Sequence, residues 1–482
     1  MTIRLYTPLS EHFSDLAEVA RVFFPGADIV QGEAGACDIA HETRPEHGEK
    51  GVWAEDAFTF EGETFRWTTL VSGDRWERKR RRKRGMKQCL YYLLRRRTGI
   101  HPPWGSLTGI RPTRLFYDRL GRGDKPFEAR RALIQLYDLH EDRARLLEDT
   151  VLTQRGMVGA QENAVDLYVS IPFCASRCAY CSFFSEAIGK GKKVGPYLEA
   201  LLKEMDAVAE LIEKNGLALR ALYVGGGTPT ALSAMSLQKL LSQLRARFPG
   251  APEWTVEAGH PDTIDLDKLA VLLDMGVTRL CVNPQTMNDH TLAAIGRGHT
   301  RADTERAFAL ARSMGFRNIN MDVIAALPGE GPEDFFRTLG AIEALGPDNL
   351  TVHTLARKHG SRLNEFGFEP AEAEVATTMV EMGAAFARDM GMRPYYLYRQ
   401  KYVAGNLENV AYAKPGKECL YNVDIMEETT SILAVGAGAV SKRVFPKEKR
   451  IERAPNVGDV GHYLSRVDEM IARKRRLWRE KK

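Results

Sequence analysis

The sequence predicts an α/β protein whose centre is an open six-stranded (β/α)6 partial barrel, with an N-terminal α+β module and a C-terminal mixed α/β cap. Six short apolar runs alternate with helical stretches, a pattern typical of a parallel sheet. Right-handed crossovers curl such a sheet into an open barrel. Polar and glycine-rich residues follow the runs directly, at the face where barrel enzymes place their chemistry.

The N-terminal module is predicted from helical and alternating apolar patterns. Residues 11–24 have helical spacing, and residues 52–71 alternate around Gly62 like a hairpin. Residues 75–97 place Met86, Cys89, Leu90 and Leu93 on one helical face. These observations predict a small α+β unit within residues 1–155.

The predicted barrel occupies residues 160–360, and a substrate-covering region follows at 361–482. The apolar runs that predict its strands are 167–171, 222–224, 255–258, 279–282, 319–325 and 350–352. In the C-terminal region we expect a helix over 371–390, an aromatic strand over 395–402 and a last helix with a basic tail at 473–482. With 482 residues and 44% hydrophobic composition, the chain is long enough for about three such domains.

The net charge of +5 conceals an uneven distribution of charge along the chain. Residues 1–74 contain 5 basic and 14 acidic side chains, whereas residues 75–131 contain 19 basic and 4 acidic ones. Residues 78–84 form an unbroken basic run, RKRRRKR. This run fits a solvated helix face, contact with nucleic-acid phosphates, an anionic membrane surface, a propionate-rich tetrapyrrole, or docking against the acidic residues 1–74.

Composition excludes several classes of protein. No window of about 18 residues is apolar and free of charge, so we expect no transmembrane segment. The first residues have no apolar signal core, which argues against secretion by that route. Seven cysteines, three of them crowded together, do not suit a disulfide framework. They suit a metal site in a reducing compartment, so we expect a cytoplasmic protein.

The crowded cysteines Cys174, Cys178 and Cys181 have the spacing C-x3-C-x2-C directly after the first predicted barrel strand. One loop can fold three thiolates around a cubane cluster, with each thiolate on a different iron. The fourth iron then stays open to chelate a substrate or cofactor, as an open zinc position does. A zinc knuckle and incidental thiols are the competing interpretations.

This spacing after the first strand of a βα barrel resembles the radical S-adenosylmethionine (SAM) superfamily. The resemblance implies a [4Fe–4S] cluster whose open iron binds the amino and carboxyl groups of SAM. Electron transfer then yields methionine and a 5′-deoxyadenosyl radical that abstracts hydrogen. The cofactors perform the difficult chemistry, while the protein binds, orients and shields them.

Flanking strings resemble the oxygen-independent coproporphyrinogen III oxidase group, which includes the HemN and HemW branches. They are residues 168–174 (YVSIPFC) and 223–230 (YVGGGTPT). Other strings resemble the HemZ coproporphyrinogen dehydrogenase branch more closely, namely residues 105–113, 283–288, 395–401, 405–409 and 414–422. The resemblance therefore covers roughly residues 100–445.

The resemblance also implies which residues contact SAM. Glycines let the backbone approach a ligand closely, carboxylates suit ribose hydroxyls and the sulfonium side, and arginine suits a carboxylate. Tyrosines could stack on SAM or shield the cluster. The implied cofactor-binding residues are Tyr168, Tyr180, Gly225, Gly226, Gly227, Thr228, Glu257, Gln285, Arg297 and Asp322.

The function implied by the resemblance is oxidative decarboxylation of two propionates of coproporphyrinogen III, which gives protoporphyrinogen IX in haem biosynthesis. Tyr168 and Cys419 are the candidate catalytic residues, and Lys401, Lys414 and Lys417 are candidate partners of the propionates. We expect a tetrapyrrole substrate and a cytosolic electron donor such as flavodoxin or ferredoxin.

Two alternatives keep the cluster but change the function. The HemN oxidases carry a further cysteine where this chain has Phe183, and the HemW-like haem chaperones lack that cysteine too. This position favours a haem-binding trafficking protein. The basic run favours a radical SAM enzyme that modifies RNA. His260, His299 and His353 lie near predicted strand ends, where they could form loop hydrogen bonds, donate protons to a tetrapyrrole or ligate haem.

Overall fold

A computed structural model describes residues 1–48, 51–159, 163–356, 362–363, 371–400 and 403–479. The chain divides into two compact units. The first contains residues 1–148 and 399–407, and the second contains residues 149–398 and 408–482.

The first unit is built on a five-stranded sheet in the order β2-β1-β3-β4-β5. Strands β2 and β3 pair parallel to β1, and β3, β4 and β5 form an antiparallel meander. The elements are β1 (Thr2–Tyr6), α1 (Phe13–Phe23), β2 (Asp28–Gln31), β3 (Ile39–Gly48), β4 (Gly51–Phe60), β5 (Glu63–Val71), α2 (Arg75–Thr98), α3 (Thr113–Leu120), α4 (Pro126–Tyr137) and α5 (Glu141–Thr153), the last of which continues into the second unit.

The basic helix α2 forms as predicted, and its sequence explains both its ends and its buried face. The Asp74 side chain accepts hydrogen bonds from the first backbone amides, and Gly99 ends the helix with φ of 71°. The predicted apolar face, from Met86 to Leu94, is buried against α1 and the sheet. Packing rather than intrinsic preference therefore holds this charged helix in place.

A buried polar network also joins α2 to the sheet. Arg82 donates hydrogen bonds to both carboxylate oxygens of Asp56, one of them over 2.6 Å. His41 Nε2 lies 3.1 Å from the same carboxylate, and its Nδ1 lies 2.8 Å from the Thr7 hydroxyl. Asp56 and His41 are fully buried. Because a buried carboxylate is costly without partners, Asp56 requires the α2 cation.

Several basic side chains of residues 75–131 pair with acidic side chains of residues 1–74. Arg82 pairs with Asp56, Lys83 with Asp15, Arg96 with Glu63 and Arg97 with Glu61. Of the interpretations considered for the basic run, docking is therefore the one that these contacts support.

The second unit contains an eleven-stranded sheet with helices between its strands. Its strands are β6 (Ala164–Ile171), β9 (Ala218–Gly226), β10 (Glu253–Glu257), β11 (Arg279–Cys281), β12 (Ile319–Ala325), β13 (Asn349–Thr354), β14 (Arg393–Arg399), β15 (Glu408–Ala413), β16 (Ser431–Val435), β17 (Val440–Phe445) and β18 (Arg450–Pro455), while β7 (Phe173–Cys174) and β8 (Glu186–Ala187) form a separate pair. Its helices are α6 (Val194–Lys214), α7 (Ala234–Arg247), α8 (Leu266–Asp274), α9 (Asp289–Ala294), α10 (Arg301–Met314), α11 (Pro332–Leu345), α12 (Ala373–Asp389), α13 (Leu420–Glu427) and α14 (Val460–Leu477).

The six predicted strands are confirmed as consecutive parallel neighbours, β6 and β9 to β13. They are apolar and mostly buried, as expected for strands covered on both faces. The sheet is wider than predicted, because β16 adds a seventh parallel strand beside β6. The sheet order of the described residues runs from β14 to β18 and does not close, which agrees with a partial barrel.

Buried polar contacts fasten the last helix beneath the sheet. Glu204 on α6 accepts hydrogen bonds from Lys474 and Tyr463 of α14, over 2.6 and 2.7 Å. It also accepts one from the Gly436 amide over 2.7 Å. This carboxylate therefore orders both α14 and the glycine-rich turn after β16.

None of the helices in the described part of the chain combines the length and the apolar character that crossing a bilayer requires.

We expect Asp56→Ala to lower the free energy of local unfolding of β4 and α2 by about 3–5 kcal/mol, because the variant leaves the largely buried Arg82 guanidinium without its opposite charge. Hydrogen exchange of the corresponding peptides in the full chain measures this change. Asp118→Ala is the matched control, since its pair with Arg80 is half-exposed and such pairs contribute about 0–1 kcal/mol. Equal losses of protection in the two variants would contradict the network.

Candidate functional site

The candidate site lies at the edge of the large sheet where the parallel strands have their carboxyl ends. The loop of Cys174, Cys178 and Cys181 follows β6, and the triple glycine lies at the end of β9. Glu257 ends β10, and Asp322 lies on β12. Because carboxyl ends of parallel strands share one edge, the topology gathers residues that are up to 150 positions apart.

Polar groups surround two of the three cysteine thiols. The Thr228 hydroxyl lies 3.7 Å from Cys174 Sγ, and His260 Nε2 lies 3.6 Å from Cys178 Sγ. Burial raises the pKa of Cys178, but the hydrogen bond from His260 and the charge of Arg297 outweigh it, so the net shift is downward. A lowered pKa favours the thiolate, which is the form that binds metal.

The triple glycine is required by a close backbone contact with the cysteine strand. The Gly227 amide donates to Ile171 O over 2.8 Å, and the Thr228 amide donates to Phe173 O over 2.7 Å. A Cβ atom on Gly227 would lie 2.6 Å from Phe173 O. Gly226 has φ of 103°, which side chains rarely adopt. Only glycine therefore allows the β9 end to approach the cysteine loop this closely.

Glu257 lies beside the glycines and is held by a tyrosine. Tyr223 donates a hydrogen bond to Glu257 Oε1 over 2.5 Å. A Cβ atom on Gly225 would lie 2.5 Å from Glu257 Oε2. Burial raises the pKa of Glu257 to about 7, although the Tyr223 hydrogen bond opposes this shift. The carboxyl group can therefore accept hydrogen bonds from a ligand and changes its charge near neutral pH.

Asp322 and His353 form a second polar pair at the same edge. His353 Nε2 lies 3.7 Å from Asp322 Oδ2, and Asn320 donates to Asp322 Oδ1 over 2.7 Å. Burial raises the pKa of Asp322, but the hydrogen bonds and charge of its partners bring it below its ordinary value. Asp322 is thus an ionised acceptor. Gln285 reaches this edge with φ of 70° and bridges to β12 through its backbone.

Arg297 and Tyr180 lie together behind the cysteine loop. Arg297 Nη1 lies 3.2 Å from the Tyr180 hydroxyl, and Nη2 donates to Asn283 O over 2.8 Å and to Gly259 O. In this structure the guanidinium therefore orders two strand-end loops. Its Nε has no hydrogen-bond partner among the described residues and remains available to an anionic ligand.

Tyr168 belongs to an aromatic stack inside the sheet. Its ring lies 6.2 Å from that of Tyr223 and 5.9 Å from that of Tyr421. A Cβ atom on Gly226 would lie 3.4 Å from the Tyr168 hydroxyl, which thus points toward the site. This placement fits shielding or packing of a bound cofactor.

Cys419 lies away from this edge. Its thiol contacts Glu253 Oε1 over 3.3 Å, and Glu253 begins the strand that Glu257 ends. Cys419 is fully buried, and burial raises its pKa well above the ordinary thiol value. Cys419 therefore contacts the start of β10, not the end that carries Glu257, within the buried cluster against which Tyr168 packs, and its catalytic role stays a prediction.

Two of the predicted propionate partners, Lys414 and Lys417, lie away from the cysteine edge. Lys417 Nζ donates to Arg317 O over 2.9 Å, and the Lys414 amide donates to Asp348 O. Both contacts lie where β12 and β13 begin, at the opposite edge from the cysteine loop. Lys401 lies outside the described residues.

Sequence reasoning missed Tyr223 as a site residue. The available signal was its position two residues before Gly225, since residues two apart on a strand share one face. The contact between His260 and Cys178 had no such signal, because 81 residues separate them in the sequence.

These residues fit a [4Fe–4S] cluster and SAM. The three cysteines lie on one loop and form no disulfide, and Cys174 and Cys178 have the polar partners described above. The glycines leave no room for side chains, while Glu257, Asp322 and Arg297 supply acceptors and a donor. We assign Cys174, Cys178 and Cys181 as the residues that would hold the cluster.

Comparison with known proteins agrees with this geometry. Residues 168–342 match the family model of the radical SAM superfamily. The chain is 36% identical to the oxygen-independent coproporphyrinogen-III oxidase-like protein HemZ of Bacillus subtilis, over 96% of this chain and 94% of that protein. It is 36% identical to the haem chaperone HemW of B. subtilis, over 63% of this chain and 76% of HemW.

A solved structure gives the same result for the fold. Coproporphyrinogen III oxidase (HemN) from Escherichia coli, described as a radical SAM enzyme, superposes with a TM-score of 0.53 and 25% identity. The match covers 68% of this chain and 73% of that chain.

We expect Gly227→Ala to prevent stable assembly of the cluster loop, because the new methyl group meets the Ile171 and Phe173 carbonyls. Iron content after anaerobic reconstitution measures this effect, and we expect a loss of most of the bound iron. Gly259→Ala is the matched control, since its nearest contact would be an ordinary 4.0 Å from Asn283. Full iron content in the Gly227 variant would contradict the proposed contact.

We expect SAM to bind about tenfold more tightly at pH 8 than at pH 6. A carboxyl group with a pKa of about 7 is mostly protonated at pH 6 and mostly ionised at pH 8, and the ionised form accepts more hydrogen bonds from ribose hydroxyls. Equilibrium dialysis of the reconstituted protein measures the dissociation constant. Glu257→Gln should flatten the profile, and an unchanged profile in that variant would refute this role.

Proposed function

We propose that this chain, which belongs to the radical SAM superfamily, converts propionate side chains of coproporphyrinogen III to vinyl groups. Within that superfamily it belongs to the oxygen-independent coproporphyrinogen-III oxidase-like proteins that include HemZ, and the proposal proceeds from this membership. The observation that carries the proposal is the 36% identity to HemZ over 96% of the chain. This similarity extends through regions outside the 168–342 core that the whole superfamily shares.

The cofactors of this protein are a [4Fe–4S] cluster and SAM. When bound, they supply the electron and the hydrogen-abstracting 5′-deoxyadenosyl radical that the reaction needs. In our proposal Cys174, Cys178 and Cys181 hold the cluster. The Thr228 hydroxyl and His260 orient two of these thiols through the contacts described above.

The strand-end residues orient SAM in this proposal. Glu257, set by Tyr223, and ionised Asp322, set by Asn320 and His353, accept hydrogen bonds from its hydroxyl and amino groups. Gly225, Gly226, Gly227 and Gln285 bring backbone close to the ligand, while the partly buried Tyr168 and Tyr180 keep water from it. Shielding matters because water and other groups would quench a radical before it met the substrate.

The proposed reaction balances for each propionate. The side chain loses one hydrogen atom from its β-carbon, then carbon dioxide and one electron, and a vinyl group remains. Two rounds give protoporphyrinogen IX. An external acceptor takes the electron, and an external one-electron donor such as flavodoxin or ferredoxin reduces the cluster. The same proposal includes a tetrapyrrole substrate and a cytoplasmic location. It also keeps the predicted division of the chain into domains 1–155, 160–360 and 361–482.

Haem trafficking is the second candidate function. It is favoured by the similarity to the haem chaperone HemW and by Phe183, which is 65% exposed two residues after Cys181. Modification of RNA has weaker support, because its one favourable feature was the basic run, and Arg80, Arg82 and Lys83 in that run pair with carboxylates of the protein itself.

An anaerobic assay separates the candidates. Reconstituted protein is mixed with SAM, a low-potential reductant and coproporphyrinogen III, and protoporphyrin and 5′-deoxyadenosine are quantified by chromatography. We expect both products from the native protein. Cys178→Ala should lose both, together with the brown absorbance of the cluster, because one iron loses its thiolate.

Two outcomes would overturn the decarboxylase proposal. Absence of 5′-deoxyadenosine under all conditions would remove radical chemistry. Stoichiometric haem binding with no protoporphyrin formed would instead support the trafficking function. Replacing Phe183 by Ala serves as a control that leaves the three cysteines intact.

A further inference from the structure

A second group of potential metal ligands lies next to the cysteine loop. His260 and Asp262 follow β10, and His299 precedes α10. Asp262 Oδ1 lies 3.7 Å from His260 Nδ1 and 3.9 Å from His299 Nδ1. One ligand atom from each of the three residues falls within 4.8 Å of the other two. None of these residues belongs to the predicted SAM-binding set.

Three of the four imidazole nitrogens in this group lack hydrogen-bond partners among the described residues, although they are buried. His260 Nδ1 and both ring nitrogens of His299 make no hydrogen bond in the described structure. The His299 side chain has no exposed surface. Because buried polar atoms in folded proteins almost always have partners, three unpartnered ones in one place indicate a ligand that satisfies them.

We propose that His260, Asp262 and His299 form a binding site for a first-row divalent metal ion such as zinc, separate from the cysteine cluster. Two imidazoles and one carboxylate suit these ions rather than magnesium or calcium, which prefer oxygen ligands. Tetrahedral zinc with bonds of about 2.1 Å holds its ligand atoms about 3.4 Å apart. Small rotations of the three side chains close the observed 3.7 and 3.9 Å separations to this value.

The surroundings allow an ion to enter and offset part of its charge. The Asp262 side chain is 30% exposed, which leaves a route for the ion and a coordination position for water. Arg297 adds a positive charge near His299, whereas the carboxylates of Asp262 and Asp303 add negative charge near the same imidazole. The carboxylate ligand is therefore an essential part of the site.

The ion would join segments that position the cysteine loop. The segment before His299 contacts that loop through two hydrogen bonds, from the Ala179 amide to Ile295 O over 2.9 Å and from the Ser176 hydroxyl to Gly296 O over 3.0 Å. His260 contacts it directly at Cys178 Sγ. Metal on Nδ1 sets the imidazole tautomer, which leaves Nε2–H to donate to the thiolate. His260 is thereby a positioning residue for Cys178.

The test uses a full-length variant in which Cys174, Cys178 and Cys181 are all replaced by Ala, so that no thiolate of the cluster loop binds metal. Titration with Co²⁺ followed by visible absorption, and with Zn²⁺ by calorimetry, measures the stoichiometry. We expect one ion per chain and no thiolate-to-cobalt charge-transfer band. His299→Ala or Asp262→Ala in the same background should weaken binding by more than about tenfold. His290→Ala, which removes an exposed imidazole from the same region, should leave binding unchanged.

Absence of Co²⁺ binding in the correctly folded triple-alanine variant, judged by circular dichroism, would overturn the proposal. Equal affinity in the His299→Ala variant would do the same. The reconstituted native protein offers a second measurement that does not depend on the triple variant. Elemental analysis after dialysis against a chelator should find about one zinc per chain beside the cluster iron, and His299→Ala should lose the zinc. These metal counts do not depend on whether coproporphyrinogen III is the substrate.

Discussion

The backbone contact between the ends of β6 and β9 is the constraint on which the site depends. Two hydrogen bonds, from Gly227 to Ile171 O and from Thr228 to Phe173 O, hold these strand ends together just before the cysteine loop. The absence of side chains on the glycines makes this approach possible and leaves the Thr228 hydroxyl beside Cys174. Tyr223, on the same strand as the glycines, holds Glu257 beside them, so the residues we propose for the cluster and for SAM share one backbone support.

The charge distribution of the chain has a structural explanation that does not involve the reaction. The basic helix α2 and the acidic residues before it lie in one compact unit, where Asp56 and Arg82 neutralise each other beneath the surface. A buried pair adds modest net stability but penalises strongly the loss of either partner. It therefore commits α2 to one position on the sheet. Part of the basic excess therefore faces part of the acidic excess across this packing interface.

The parts of the candidate site that could be predicted are those whose residues lie close together in the sequence. The cysteine spacing and the glycine run identified their loops, and the alternation of strands and helices predicted the shared edge. The position of Cys419 was not predictable in this way, because a matching string says nothing about which end of a strand it packs against. The seventh parallel strand, β16, was missed for a related reason. It pairs with β6 from more than 250 residues away.

Short-range spacing thus established the fold class, the six central strands, the basic helix and the cysteine loop, since periodicity and loop chemistry depend on neighbouring residues. The pairing of His260 with Cys178, of Arg82 with Asp56 and of Tyr223 with Glu257 depended on folding. These partners are 26 to 82 residues apart. A hydrogen bond requires two atoms within about 3 Å, and only packing of the complete chain selects which distant side chains meet at that distance.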